Sequence, residues 1–300
     1  MGEFLLLGVD GGGSHCRARL ATAAGKTIGE GIAGPANIRM ELEESFAAVF
    51  ASAMQCLTTA GLNKEDGARI IACFTLAGAT GPAELAAARR YKHPFAKEII
   101  VSDVHAACIG AHGGRDGGVL AVGTGTIGWA ERAGQHDRVG GWGFPLSDEG
   151  SGAWLGAEAL RRVLWAHDGR IPWSPALHEL SEQFKGDPHA IVRFVTHARP
   201  KDFARFAPIV VAHAAQTDPA AVELMRLAAS HIEALLARLV ALGSHCVALV
   251  GGLSAAITPW LSAAARAHLV APEADALAGA LQLARKLLIQ STAVADLAHG

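Results

Sequence analysis

The sequence predicts an α/β protein built from two related units, each with a β-sheet and flanking helices. A strand, a glycine-rich turn and a second strand occur twice, at residues 4–20 and again at residues 117–130. Each time, further apolar strands and helical segments follow. This order of elements is typical of layered α/β domains.

The first half is expected to open with a β-meander over residues 4–35, because strand-like runs are separated by glycine turns. Apolar residues at helical spacing then predict a helix over 41–57. The elements that follow are predicted as strands at 70–76 and 97–101 and helices at 84–91 and from about 104.

The second half repeats the strand, glycine turn and strand, with another turn at Gly134 and a strand around residues 138–139. Its helices are predicted at 152–165, 175–184, 187–198, 202–216 and 219–242. A strand at 246–250 and a helix at 275–288 complete the pattern, and the tail after residue 290 is expected to be loosely ordered.

The two glycine turns predict phosphate binding. Consecutive glycines let backbone N–H groups converge on one ligand, because no Cβ blocks its approach. Gly123, Gly125 and Gly128 also match the dinucleotide fingerprint G-x-G-x-x-G, but that site needs a helix directly after the glycines. The next turn, at Gly134, leaves no room for one, and the chain contains no P-loop sequence. We therefore expect two phosphate turns that hold one nucleotide.

Composition argues against several other classes. A formal net charge of −2 gives no electrostatic basis for binding nucleic acid or an anionic membrane. No apolar run is long enough to span a bilayer, and the N-terminus lacks the basic region of a signal peptide. The five cysteines are scattered without a C-x-x-C pair, which indicates reduced thiols. We expect a cytoplasmic protein.

Two aspartates are candidates for phosphoryl-transfer chemistry. Asp10 ends a strand at the first glycine turn, where its carboxylate could hold Mg²⁺, although an Asp-Gly turn residue would look the same. Asp103 follows a buried strand and precedes a helix, and could accept the proton of an attacking hydroxyl. The alternative is that Ser102 or Asp103 only caps the helix.

Three further segments suggest ligand binding. Residues 140–152 combine glycines, Trp142 and acids, a composition suited to a sugar, but also to a glycine-rich connector with Ser151 as a helix cap. Residues 249–254 are predicted as a strand, a Gly-Gly turn and the start of a helix. This arrangement could bind a nucleoside against its backbone, or it could be only a tight connection between the strand and the helix. Asn37 is explained equally well by turn chemistry alone.

Taken together, these motifs resemble the sugar kinase/Hsp70/actin superfamily. The closer resemblance is to the bacterial glucosamine kinases and N-acetylglucosamine kinases of the BadF/BadG/BcrA/BcrD ATPase group. It extends from about Leu6 to Leu283. The segments that carry it are 8–14, 34–38, 76–79, 102–103, 123–126, 144–152 and 275–280.

The resemblance implies two ribonuclease H-like (actin/hexokinase-type) domains with a nucleotide and sugar cleft between them. The first would comprise residues 1–107 with a returning helix at 275–290, and the second residues 108–274. It also implies ATP and Mg²⁺ as cofactors, an amino sugar phosphorylated at its 6-hydroxyl, and a homodimer.

Site residues follow from the same resemblance. Asp103 would be the general base, and Asp10 would lie near Mg²⁺. The phosphate-binding residues would be Gly11, Gly12, Gly13, Ser14, Gly123, Thr124 and Gly125, and the nucleoside would contact Gly251, Gly252 and Ser254. The sugar would contact Asn37, Asp103, Thr126, Gly141, Trp142, Gly143 and Asp148.

The sequence departs from the family pattern in ways that leave the sugar open. Ser14 replaces a common threonine but keeps the hydroxyl. Ile127 stands where the N-acetylglucosamine kinases carry a polar side chain, which favours the free amine. Trp142 and Glu149 follow the N-acetyl kinases instead.

Two other functions remain as alternatives. One is an ATPase activator of the 2-hydroxyacyl-CoA dehydratase type, whose cysteines hold an iron–sulfur cluster between subunits. The other is a sugar-sensing repressor, which would need a DNA-binding helix-turn-helix. The scattered cysteines and a chain that starts directly at its first strand favour neither.

Overall fold

The computed structural model describes residues 3–13, 15–39, 41–79 and 81–297, with side chains up to residue 291. The chain forms two compact units. Unit 1 comprises Met1–Arg115 and Pro272–Gly300, and unit 2 comprises Asp116–Ala271. The border expected between residues 107 and 108 falls inside a helix, Asp103–Ala111, that belongs wholly to unit 1.

In both units, a run of strands precedes the first helix. The strands of the described residues are β1 (Leu5–Gly11), β2 (Cys16–Thr22), β3 (Thr27–Ala33), β4 (Ile70–Leu76), β5 (Lys97–Ser102), β6 (Gly117–Val122), β7 (Thr126–Arg132), β8 (Gln135–Gly140), β9 (Val247–Val250) and β10 (Leu269–Val270). The helices are α1 (Leu42–Thr59), α2 (Pro82–Ala88), α3 (Asp103–Ala111), α4 (Gly152–His167), α5 (Pro175–Glu182), α6 (Pro188–His197), α7 (Pro200–Ala204), α8 (Ala207–Ala215), α9 (Pro219–Ala241), α10 (Ser254–Ile257), α11 (Ala263–Arg266) and α12 (Ala276–Leu297).

The sheet of unit 1 has the strand order β3-β2-β1-β4-β5. β1, β2 and β3 are antiparallel neighbours, as the predicted meander requires, and β4 and β5 run parallel to β1. The carboxyl ends of β1, β4 and β5 therefore meet at one edge of the sheet. That edge is where ligands bind in sheets of this kind.

Helices cover both faces of this sheet. On one face Phe46 and Val49 of α1 pack against the apolar side chains of the strands. On the other face α3 and α12 pack around Leu6 and Ile71. α12 approaches α3 closely, since a Cβ at Gly279 would lie 2.0 Å from the carbonyl oxygen of Ala106. The C-terminal helix is therefore part of the unit that begins the chain.

Unit 2 has the strand order β10-β9-β6-β7-β8, with β6, β7 and β8 antiparallel and β9 parallel to β6. The core of the unit combines the sheet with α4, α5, α8 and α9. In both units, three antiparallel strands are followed by parallel strands on one side. No helix in the described residues is long and apolar enough to cross a membrane.

Two sequence predictions about helices are wrong. The single helix expected at 202–216 is two helices, α7 and α8. Pro208 lies at the start of α8, where its ring would clash with the carbonyl four residues earlier in a continuous helix. The tail expected after residue 290 continues α12 to Leu297, and residues 289–297 contain no glycine or proline to end a helix.

Candidate functional site

Polar side chains gather at the carboxyl edge of the unit 1 sheet. Asp10 lies near the end of β1 and Asp103 directly follows β5, with β4 between these two strands. Asp10 pairs in register with Thr75 of β4, and Thr75 pairs with Val101 of β5. The strand order therefore brings the two predicted acids to the same end of one sheet.

The environment of Asp103 suits a proton acceptor. Ser102 is the N-cap of α3, and its hydroxyl accepts a hydrogen bond from the His105 N–H (3.4 Å). Asp103 is therefore not the cap, and its Oδ1 accepts the N–H of Val104 (2.9 Å). Burial raises the pKa of Asp103 to about 6 and the charge of Asp10 adds to the rise, although the Val104 N–H opposes it. A carboxylate with this pKa can take up a proton close to neutral pH.

Asp10 is held from the neighbouring strand. Nη2 of Arg17 lies 2.7 Å from Asp10 Oδ2, and Nη1 of the same guanidinium lies 3.5 Å from Asp275 Oδ2. Asp275 in turn accepts the N–H of Ala278 at the start of α12 (3.0 Å). The Asp10 side chain keeps 17% of its surface exposed. This fits Mg²⁺, which phosphoryl-transfer sites hold by one or two carboxylates together with substrate phosphates.

The first glycine turn uses its glycines differently. A Cβ at Gly11 would lie 2.8 Å from Leu76 Cδ2, so close packing excludes a side chain there. Gly12 bonds within the turn, since its N–H donates to the His15 carbonyl (3.0 Å). Apart from its chain neighbours, no described residue lies within 4 Å of a Cβ built at Gly13, which leaves space for a ligand beside that backbone. Ser14 lies outside the described residues.

Asn37 lies at the same edge as the first turn. It forms a parallel bridge with Ala77, which follows β4, and the Ala77 N–H donates to the Gly11 carbonyl (2.7 Å). Asn37 Oδ1 accepts the N–H of Arg39 (3.2 Å), which is the turn chemistry that the sequence also suggested. The structure thus places Asp10, Asn37 and Asp103 at the same edge of the unit 1 sheet.

The second glycine turn lies at the start of α4. The carbonyls of Gly123 and Thr124 accept the N–H groups of Gly152 (2.8 Å) and Ala153 (3.1 Å). These bonds join the turn to the end of the 140–152 segment. Thr126 follows at the start of β7, where its hydroxyl is buried and no described residue forms a hydrogen bond with it.

The 140–152 segment folds back on itself. The backbone of Asp148 is left-handed (φ 68°), and its Oδ2 accepts the Phe144 N–H (3.1 Å). Trp142 is 71% exposed, with the Arg138 guanidinium 3.7 Å from its ring centroid. Ser151 accepts the Trp154 N–H (3.2 Å) and caps α4, as the connector interpretation required. Gly143 is left-handed as well (φ 103°).

The predicted nucleoside segment contains two different glycines. Gly251 is left-handed (φ 100°), and a Cβ there would lie 2.5 Å from the Val122 carbonyl oxygen, so the fold itself requires glycine. At Gly252 a built Cβ would meet no described residue within 4 Å apart from its chain neighbours, and Gly252 N lies 3.9 Å from a Cβ built at Gly123. The Ser254 hydroxyl donates to the Gly251 carbonyl (2.7 Å) and closes the turn.

Sequence analysis missed three residues of the unit 1 edge. Arg17 looked like an ordinary polar residue of an alternating strand, and Asp275 like a helix start. Thr75 lies inside the apolar run of β4, where a hydroxyl is easily taken for a β-branched core residue. Its exposure is 0%, and within the described part of the chain its Oγ1 has no hydrogen-bond partner.

Comparison with known families adds a decisive observation. The model of the BadF/BadG/BcrA/BcrD ATPase family matches residues 7–284. The chain belongs to this family. The match includes both glycine turns and both candidate aspartates, so the resemblance that the motifs suggested is confirmed.

One relative matches nearly the whole chain, and a second matches about half of it. It is 36% identical over 280 residues to the glucosamine kinase of Vibrio cholerae, which covers 93% of this chain and 95% of the relative. It is 31% identical over 170 residues, 55% of each chain, to an N-acetylmuramic acid/N-acetylglucosamine kinase of Clostridium acetobutylicum.

A solved structure confirms the fold. It is a Chromobacterium violaceum protein provisionally assigned as an N-acetylglucosamine kinase, with a TM-score of 0.88 and 35% identity. The match covers 94% of this chain and 99% of that one. The α/β class with two ribonuclease H-like domains is therefore confirmed.

Proposed function

We propose that this protein is an ATP-dependent amino-sugar kinase that phosphorylates glucosamine or N-acetylglucosamine at the 6-hydroxyl. The single observation that carries the proposal is Asp103, a carboxylate at the carboxyl edge of the unit 1 sheet with a pKa of about 6. Membership of an ATPase family and the two kinase relatives support ATP and an amino sugar as substrates.

In the proposed reaction, Asp103 accepts the proton of the sugar 6-hydroxyl. The 6-oxygen forms a bond to the γ-phosphorus of ATP, the bond from that phosphorus to the β–γ bridging oxygen breaks, and ADP leaves. The products are the sugar 6-phosphate, ADP and the proton released from Asp103. Phosphoryl transfer of this kind depends on positioning and on electrostatic stabilisation more than on covalent chemistry.

The other site residues take their roles from the same proposal. Asp10 would hold Mg²⁺, which when bound neutralises phosphate charge. The glycine turns at Gly11 to Gly13 and Gly123 to Gly125 would approach the phosphates closely, together with the hydroxyls of Ser14 and Thr124. The N–H groups of Gly12 and Gly123 already donate within their turns, to the carbonyls of His15 and Gly125. Gly251, Gly252 and Ser254 would contact the nucleoside. The sugar contacts would be Asn37, Asp103, Thr126, Gly141, Trp142, Gly143 and Asp148.

ADP release measured with Mg-ATP tests the function. The sugars are glucosamine, N-acetylglucosamine, glucose and no sugar. A kinase releases ADP in proportion to the amino sugar consumed, whereas an ATPase activator releases it without regard to sugar. Sugar-independent release together with iron in the purified protein would overturn the proposal in favour of the activator.

We also propose a homodimer that acts in the cytoplasm. Four of the five cysteines are buried, as is usual for structural thiols of proteins in a reducing compartment. Light scattering on the purified protein tests the oligomeric state, and a mass equal to one chain, 31.0 kDa, would contradict the dimer.

A further inference from the structure

Thr75 has a buried hydroxyl that the fold does not explain. Its side chain is fully buried in β4, and Oγ1 has no hydrogen-bond partner among the residues that the structure describes. Leaving a buried polar group without a partner is unfavourable, because the group loses its hydrogen bonds to water and gains none in return. Valine has nearly the same shape without that cost, so packing alone would favour valine at this position.

The Thr75 side chain lies on the face of the sheet that carries Asp10. Side chains alternate along a strand, and Ile71 and Cys73 of β4 pack with α3 and α12. Phe74 and Leu76 belong to the opposite core. Thr75 therefore shares the face of Ile71 and Cys73, on which its registered neighbour Asp10 also lies.

Asp103 lies close to this line of paired residues, which runs from Asp10 through Thr75 to Val101. Thr75 is paired with Val101, and Asp103 follows two residues later across the extended backbone of Ser102 (φ −69°, ψ 150°). β4 lies between β1 and β5, so Thr75 lies between the strand that carries Asp10 and the strand that leads to Asp103.

Hydrogen-bond chemistry favours a hydroxyl at this place. Ionised carboxylates only accept hydrogen bonds, so a water molecule between two of them donates both of its hydrogens and needs a donor for its own oxygen. A threonine hydroxyl supplies that donor, whereas valine, alanine or a further carboxylate cannot. Buried water commonly makes about three such bonds.

We propose that Thr75 is a positioning residue whose hydroxyl donates to a water molecule held between the carboxylates of Asp10 and Asp103. The water fixes the orientation of the Asp103 carboxylate relative to Asp10. Its effect on catalysis rests on the proposed kinase function, but the placement of the water does not.

Crystal structures of the wild type and of Thr75→Val test the placement directly. The expected result is a water within about 2.6–3.2 Å of Thr75 Oγ1 and of both carboxylates in the wild type, and its loss in the variant. The proposal is overturned if the wild type shows no such water, or a water that bonds Thr75 but neither acid.

Steady-state kinetics of Thr75 variants test whether the bridging water affects catalysis. Thr75→Val is expected to lower kcat about tenfold, the effect of one hydrogen bond of ordinary strength, with the KM for sugar unchanged. Thr75→Ser restores the hydroxyl and is expected to keep kcat within about threefold of the wild type. The control Cys73→Ala changes packing on the same face, and is expected to lower the melting temperature but not kcat.

The two proposals fail in different ways. A wild-type kcat for Thr75→Val in an active kinase overturns the positioning role. Absence of sugar phosphorylation by the wild type, with the bridging water present in its crystals, overturns the kinase proposal and supports the placement. The wild-type crystal structure decides the placement even if the valine variant does not fold.

Discussion

The Asp148 carboxylate packs directly against the backbone of Gly125, since a Cβ built at Gly125 would lie 2.9 Å from Asp148 Oδ2. This contact joins the glycine turn proposed for phosphate to the segment proposed for sugar, within unit 2. Asp148 is also held by the Phe144 N–H, so it has little freedom to move aside. A substitution in the Gly125 turn should therefore alter ligand binding by the 140–152 segment.

Gly125→Ala is expected to raise the KM for sugar about tenfold, because the new methyl group displaces the Asp148 carboxylate by a few tenths of an ångström or more. The KM for ATP should change less than about threefold. Steady-state kinetics with each substrate varied in turn make the measurement. Gly123→Ala is the matched control, because the nearest described atom to its new methyl group is Gly252 N, at 3.9 Å, and it should affect the KM for ATP instead. Equal effects of both variants on both constants would contradict this assignment.

The pKa of Asp103 predicts the acid limb of the reaction. A general base must be ionised, so kcat should fall as the pH drops through about 6, with the slope of one proton. The pH profile of kcat at saturating substrates measures this. An acid limb near the ordinary aspartate value of 3.8 would contradict the assignment.

The same pKa predicts a change in stability. Because the pKa is raised, the folded protein binds this proton more tightly than the unfolded chain, and the Asp103 charge destabilises the fold above about pH 6. Asp103→Asn should therefore raise the melting temperature at about pH 8. The gain should disappear below about pH 4, where aspartate is protonated in both states. An equal gain in melting temperature at both pH values would show that the buried charge of Asp103 is not the cause.

Ile127 is expected to influence the choice of sugar. A Cβ at Gly141 would lie 2.6 Å from Ile127 Cδ1, so the isoleucine packs on the backbone of the segment proposed to bind sugar. Ile127→Asn offers a polar group there and should raise kcat/KM for N-acetylglucosamine relative to glucosamine about fivefold, the effect of one hydrogen bond. Ile127→Val is the control and should keep the wild-type ratio. An unchanged ratio in the asparagine variant would rule out this role.

Asp218 is expected to be a major contributor to the stability of unit 2. Its carboxylate accepts hydrogen bonds from Ser174 Oγ, Ala176 N and Ala221 N, each at 3.0 Å, and so joins the starts of α5 and α9. Burial acts to raise its pKa, but these hydrogen bonds outweigh it and lower the pKa. Asp218→Ala should cost about 2–3 kcal/mol of unfolding free energy.

Denaturant unfolding at neutral pH measures the cost of Asp218→Ala. A depressed pKa means that the contribution is present above the unfolded value of about 4 and is lost as the pH falls below it. Glu182→Ala, in the last turn of α5, is the control, and should change the unfolding free energy by less than about 0.5 kcal/mol. A similar loss for both variants would show that Asp218 has no special role.

Much of the fold could be predicted because it depends on local patterns. The turns at Gly11 to Gly13 and Gly123 to Gly125 separate strands whose apolar runs are unambiguous, and Asp103 is recognisable from its place between a strand and a helix. The break between α7 and α8 was missed because helical spacing continues across Pro208. The spacing of apolar side chains does not show that Pro208 lacks the backbone N–H that the interior of a helix requires.

The rest of the site depends on contacts between residues distant in sequence. Arg17 reaches Asp275 and Asp10 only when β2 pairs with β1 and α12 returns to the same unit. Thr75 becomes notable only when strand order places β4 between β1 and β5 and its hydroxyl is found without a partner. Neither relationship can be read from neighbouring residues.

Sugar phosphorylation by the wild type and by Asp103→Asn, each with sugar binding measured by calorimetry, tests the central claim most directly. The account predicts an amino-sugar 6-phosphate from the wild type. For the variant it predicts a loss of kcat of about a hundredfold or more, with sugar affinity within about threefold of the wild type. A variant that phosphorylates the sugar at the wild-type rate would contradict the role of Asp103 as the base.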